Sequence, residues 1–153
     1  ANGGFTCFEP FRRAQTKWLA DQFKRPEIAS APFVVAFVHI PLFDPDPNAN
    51  PGTVLEDYAH WQKQAAEEWG PILNANGVQL VVAGHMHRFR YDAPTANRKW
   101  AQVVGGGPHH DRGPKRFPTV IEGKVENGKL VVRVHNLKDK CIAGEYFYER
   151  RRV

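Results

Sequence analysis

The chain has 153 residues, enough for one domain with a substantial core. Hydrophobic residues make up 42% and charged residues 24%, a balance that excludes an intrinsically disordered chain. The net charge of +5 rests on basic residues grouped in short runs, at 112–116 and 150–152. No regular interleaving of aromatics accompanies these runs, so they read as solvated surface charge and no nucleic-acid partner is expected.

The chain opens at Ala1 without a charged-then-apolar leader, and its sole methionine is Met86, which reads as a piece of a longer protein. Cys7 and Cys141 stand near opposite ends and neither belongs to a C-x-x-C. Thiolate metal ligation is therefore not expected, while their pairing is left open by the spacing.

Residues 13–24 carry Trp18, Leu19, Gln22 and Phe23 on one largely apolar stripe, which predicts a helix ended by Pro26. Phe33 to Val38 is a continuous β-branched and aromatic run, the pattern of a strand buried on both faces, and it delivers His39 and Pro41. Residues 44–52, rich in proline, asparagine and aspartate, read as a loop, and Thr53 to Glu56 matches a capping box. After the box Tyr58, Trp61, Ala65 and Trp69 recur at helical spacing. Gly70-Pro71 is expected to break or kink that helix, and Asn76-Gly77 to stop it in the left-handed conformation.

Val78 to Ala83 is a second buried strand, so strand, helix, strand follow one another as in a parallel βαβ unit. Neither apolar run is long enough to span a bilayer, and no membrane span is expected. Trp100 to Val104 reads as a short strand running into Gly105 to Gly107. Residues 119–125 and 129–135 flank Asn127-Gly128, a strong hairpin signal, and residues 145–148 suggest one further strand. The last third is thus an antiparallel meander, and a mixed sheet is expected.

Both central strands end in histidine: the first in His39, the second in Gly84-His85-Met86-His87. If the strands are parallel, the three imidazoles share one edge of the sheet, the edge where open α/β sheets bind ligands. Imidazole suits zinc, iron and similar ions. Gly84 lets the backbone turn sharply and approach them. His85 and His87, one residue apart, suit two neighbouring ions better than one. His60 and His135 read as histidines without a metal, and His109-His110-Asp111 as a solvated loop after the glycines. The triple glycine lacks the order of a phosphate-binding loop. Arg88, next to His87, reads equally as an anion contact and as a surface charge.

These residues resemble the closing motifs of the calcineurin-like metallophosphoesterases, a superfamily that includes the purple acid phosphatases. The likeness runs over Gln15-x-x-Trp18-Leu19, the strand ending in His39 and Pro41, Gly84-His85-x-His87, and the glycines at 105–107. It implies an α/β fold, half of a four-layer α-β-β-α sandwich, with a mixed sheet, flanking helices and the antiparallel meander. Residues 1–153 would be the C-terminal portion of the catalytic domain. It implies that His39 and His85 bind one metal and His87 the other, the full protein holding two divalent or trivalent ions (zinc, iron or manganese). The reaction implied is phosphoester hydrolysis by a metal-activated hydroxide.

The family's N-terminal half supplies D-x-H or D-x-G, G-D-x-x-D/Y and G-N-H-E/D, and none of the three stands ahead of His39. The bridging carboxylate and the general acid are expected in that missing half. The chain alone is therefore expected to be inactive, with a partial or empty metal site. An N-terminal half or a second copy would cover the exposed core. Exported relatives lean the compartment toward periplasmic or secreted. A non-catalytic metal-binding or interaction module on the same scaffold is the alternative.

Overall fold

The computed structural model describes residues 9–45, 58–107 and 115–151. In chain order it contains α1 (Glu9–Gln22), α2 (Pro26–Ala29), β1 (Val35–Phe37), α3 (Tyr58–Ala75) and β2 (Leu80–Ala83). There follow β3 (Arg90–Asp92), β4 (Ala101–Val104), β5 (Thr119–Glu126), β6 (Lys129–Asn136) and β7 (Cys141–Tyr148). Cys7, the capping box at 53–56, His109 to Asp111, and the side chains of Tyr58, His60 and Trp61 lie outside the described residues.

The strands form two sheets, β1-β2-β4-β3 and β5-β6-β7. β1, β2 and β4 are mutually parallel, and β3 runs antiparallel to β4. The mixed sheet thus arises from β3, a strand absent from the sequence reading, while the meander closes a sheet of its own. Among the described residues the layers are helices α1 and α3, the mixed sheet, and the antiparallel sheet.

Alternation along the strands fills both spaces between layers. Leu80, Ala101 and Val103 meet Leu130, Val132 and Val134 of the facing sheet. On the opposite face Val81 packs with Leu73, Val78, Trp100 and Leu42 beneath the helices. Tyr91 stacks on Tyr146 across the sandwich with centroids 3.8 Å apart. Full burial of each Leu or Val side chain is worth about 1.5–3 kcal/mol over leaving it exposed.

Local geometry explains two of the element ends. Gly77 has φ 62°, Gly77 N–H donates to Asn74 O, and Val78 N–H donates to Leu73 O at 3.1 Å. That is the left-handed stop expected of Asn76-Gly77, closed by the apolar pair Leu73 and Val78. Asn127 and Gly128, both at positive φ, turn the β5–β6 hairpin.

Several expectations need correction. α3 runs through Pro71 to Ala75 without ending at Gly70-Pro71. Pro71 and Glu67, whose carbonyl loses its donor, are both exposed, so water can replace the missing bond. α1 ends at Gln22, and Pro26 opens α2 at a first-turn position that tolerates a missing N–H. Trp18 is 61% exposed and Phe37 is 78% exposed, so α1 and β1 are not covered on all apolar sides. The run at 33–38 forms an edge strand, because among the described residues nothing pairs with β1 on its outer side. β7 begins at Cys141, well before residue 145.

The basic run at 150–152 also contains more than surface charge. Arg151 donates to the carbonyls of Ile28, Ala29 and Ala31, and to Asn76 O at 2.7 Å. It ties together the ends of α2 and α3. No helix among the described residues is long and apolar enough to cross a membrane.

Candidate metal centre

The chain leaves β1 and β2 on the same edge of the mixed sheet, because the two strands are parallel. Their pairing continues past the strands: Val38 N–H donates to Val82 O at 3.0 Å, and Gly84 N–H donates to His39 O at 3.1 Å. The backbones carrying His39 and His85 are therefore locked side by side. His85 Nδ1 and His39 Nε2 stand 3.0 Å apart, with ring centroids separated by 4.9 Å and planes at 77°. One ring donates an N–H to the other, and the tautomer decides which.

That spacing fits a shared cation. Two nitrogens bound to one ion at about 2.0–2.1 Å, with angles of roughly 90–109°, lie about 2.9–3.4 Å apart. Rotation of the two rings, without separating their nitrogens, would turn the hydrogen-bonded pair into a chelating one. Among the described residues no group of three or more His, Cys, Asp or Glu is arranged to hold a metal ion. The pair alone is an incomplete coordination sphere.

The loop after β2 is tightly coiled. His85 has φ 65° and His87 φ 49°, both left-handed, and Met86 N–H donates to Gly84 O at 2.7 Å. Such conformations cost on the order of 1–3 kcal/mol each and persist where the surroundings over-determine them. His87 is exposed and packs against the turn after β4. A Cβ on Gly107 would lie 2.5 Å from His87 Cγ and 2.7 Å from its Cβ and Cδ2. Gly107→Ala is accordingly expected to displace His87 and leave the His39–His85 contact in place. Histidine-labelled NMR checks this, with ring shifts confined to His87 as the expected result.

The other glycines of the cluster have structural uses. Gly105 N–H donates to Ala83 O at 2.8 Å, continuing the β2–β4 ladder, and Gly106 N–H donates to Thr119 Oγ1 at 2.8 Å. Their amides are taken, in agreement with the absence of a phosphate-loop order. His135 faces Glu122 at 3.3 Å on the outer side of the antiparallel sheet, away from the pair. Lys124 first, then His135, holds the Glu122 carboxyl below its usual range. Arg88 is exposed beside His87.

An apolar groove of about 620 Å³ opens between α1 and β1 and reaches His39, with Trp18, Leu19, Phe23, Val35 and Phe37 in its walls. Val34 O and Val38 N–H point toward β2. By the two-residue period of a strand, the N–H and C=O of Val35 and Phe37 point away from β2, where nothing among the described residues pairs with them.

Sequence reasoning missed the support behind His39. The segment after it is gripped by Gln102 and Arg90, and both of these are held by Asp92. The available signal was a glutamine inside the apolar run of β4.

No family model matches the chain. It is 33% identical over 87 residues to probable purple acid phosphatase 20 of Arabidopsis thaliana, covering 57% of this chain and 18% of that protein. It is 26% identical over 121 residues to purple acid phosphatase 5 of the same plant, covering 74% of this chain and 28% of that one. The chain therefore spans under a third of the length of either relative. The solved structure of GAP50, described as the anchor in the inner membrane complex of Plasmodium, has a TM-score of 0.63 at 13% identity. That likeness of fold covers 96% of this chain and 46% of the solved one.

Proposed function

From the chain's relationship to the calcineurin-like metallophosphoesterases, we propose that the parent protein is a metal-dependent phosphoester hydrolase. The observation that carries this reading is the 3.0 Å approach of His85 Nδ1 to His39 Nε2 at the shared edge of two parallel strands. His39 and His85 would hold one ion and His87 would serve a second. Zinc, iron and manganese all suit such imidazoles. Bound there, the ions supply Lewis acidity and a hydroxide available near neutral pH. The chain's own part is to place the imidazoles, through the β1–β2 pairing and the coiled 84–88 loop.

We further propose that residues 1–153 are the C-terminal portion of the catalytic domain. Support comes from the three aspartate- and asparagine-bearing motifs missing ahead of His39 and from the outer side of β1, where no strand pairs with it among the described residues. An extended segment of the N-terminal half, or of a second copy, would pair with the outward amides of Val35 and Phe37 and cover Trp18. Without a bridging carboxylate two cations at close range repel each other, so the chain alone would hold at most one ion, weakly. The 153-residue chain is expected to hydrolyse a phosphomonoester no faster than metal in buffer, whereas the parent protein turns it over. Clear turnover by the isolated chain would contradict the incomplete-half reading.

A second reading, a non-catalytic module on the same scaffold, draws on the incomplete ligand set among the described residues. The gene upstream of Ala1 separates the two. D-x-H or D-x-G, G-D-x-x-D/Y and G-N-H-E/D belong to the hydrolase, and their absence to the module.

A further inference from the structure

We propose that Gln102 is a positioning residue for His39, setting the separation of the His39–His85 pair through the loop that follows His39; the proposal rests on reading that pair as an ion site. Gln102 lies within β4 and is completely buried, at 0% exposure. Its Oε1 accepts from Leu42 N–H at 2.8 Å and from Phe43 N–H at 3.3 Å. Its Nε2 donates to Phe43 O and to Asp92 Oδ2, both at 2.8 Å. One side-chain amide thus serves the loop as a neighbouring strand would, satisfying backbone donors and an acceptor together.

Every one of those contacts goes to the His39 loop or to the carboxylate behind it. Asp92 is paired with Arg90 at 2.9 Å, and Arg90 reaches Asp44 at 3.1 Å and Phe43 O at 2.6 Å. From α3, Gln62 Nε2 donates to Pro41 O at 3.0 Å. Pro41, Leu42, Phe43 and Asp44 are therefore all held by side chains of other elements, and His39 O is held by Gly84. His39 itself is exposed, so its place is fixed by this gripped backbone and not by burial of its ring. A buried amide without partners is destabilising, and an apolar residue would fill the same core space without that risk. What the amide adds is the fixed geometry of the loop. Groups that orient ligands from behind typically govern metal affinity by 10–100-fold.

The test uses the intact protein, stripped of metal and labelled with ¹⁵N-histidine. The wild type is expected to show a nitrogen–nitrogen coupling across the His39–His85 hydrogen bond. Gln102→Met, close in volume but unable to grip the loop, is expected to lose it, while cooperative unfolding and the Tyr91–Tyr146 ring contact remain. If Gln102→Met does not fold, Gln102→Asn, which retracts the amide by one carbon, takes its place with the same expected loss. Titration with Co²⁺ is expected to show binding weakened about 10–100-fold in Gln102→Met. Coupling that persists in a folded Gln102 variant, or that is missing in the wild type, overturns the proposal. Coupling that behaves as expected in a wild type that binds no Co²⁺ supports the positioning role and strikes the ion-site reading alone.

Discussion

Replacing His85 with alanine in the intact protein is expected to abolish phosphoester hydrolysis and to weaken binding of the first metal ion by more than about 100-fold. The bound follows from a comparison: groups that merely orient a ligand govern affinity by about 10–100-fold, and a ligand itself should exceed that. His39→Ala is expected to match it, because the two rings approach within 3.0 Å and share one task. The double variant should then be little worse than either single one, as for neighbours acting as a unit. Alanine at His87 is expected to differ, sparing the first ion and losing the second. Calorimetric titration with zinc checks all three, and loss of the same binding step in the His85 and His87 variants would contradict the division of labour.

Arg151→Ala is expected to give the largest loss of stability from any single side chain outside the core. Its guanidinium serves the carbonyls of Ile28, Ala29 and Ala31 near the end of α2 and Asn76 O after α3, and its own N–H donates to Pro32 O at 3.0 Å. Helix C-termini carry unsatisfied carbonyls and partial negative charge, which a planar cation answers well. Hydrogen bonds to charged groups are worth about 1.5–3 kcal/mol each, and partial exposure discounts the sum to about 2–4 kcal/mol. For a domain of this size that is a fall in Tm of roughly 5–15 °C. Lysine, a point charge with three donors, should recover less than half. A loss below about 0.5 kcal/mol in chemical denaturation would return Arg151 to the class of surface charges.

The parallel pair β1 and β2 was legible because each is a short β-branched run joined by a helical pattern, and the parallel sense of such a unit follows from its crossover. That legibility extended to His39 and His85, since parallel strands must end on one side. It did not extend to the surroundings of β1. An apolar run states that a strand wants both faces covered, yet whether anything covers Phe37 depends on which chains are present. β3 escaped notice because Arg90, Tyr91 and Asp92 carry no apolar alternation, and only their pairing with β4 makes them a strand. Pro71 misled for the opposite reason: its local penalty is real, but the face it occupies is wet. Arg151 and Gln102 act on carbonyls and amides distant in the chain, at Ile28, Asn76, Leu42 and Phe43. Side-chain bonds to remote backbone leave no periodic trace in a sequence.

Crystals of the intact protein grown with zinc, examined by anomalous X-ray scattering at the zinc edge, test the central claim most directly. The account predicts an ion about 2.0–2.1 Å from both His39 Nε2 and His85 Nδ1, the two atoms that face each other across 3.0 Å. Zinc bound elsewhere, with these two rings still joined by their hydrogen bond, would contradict it.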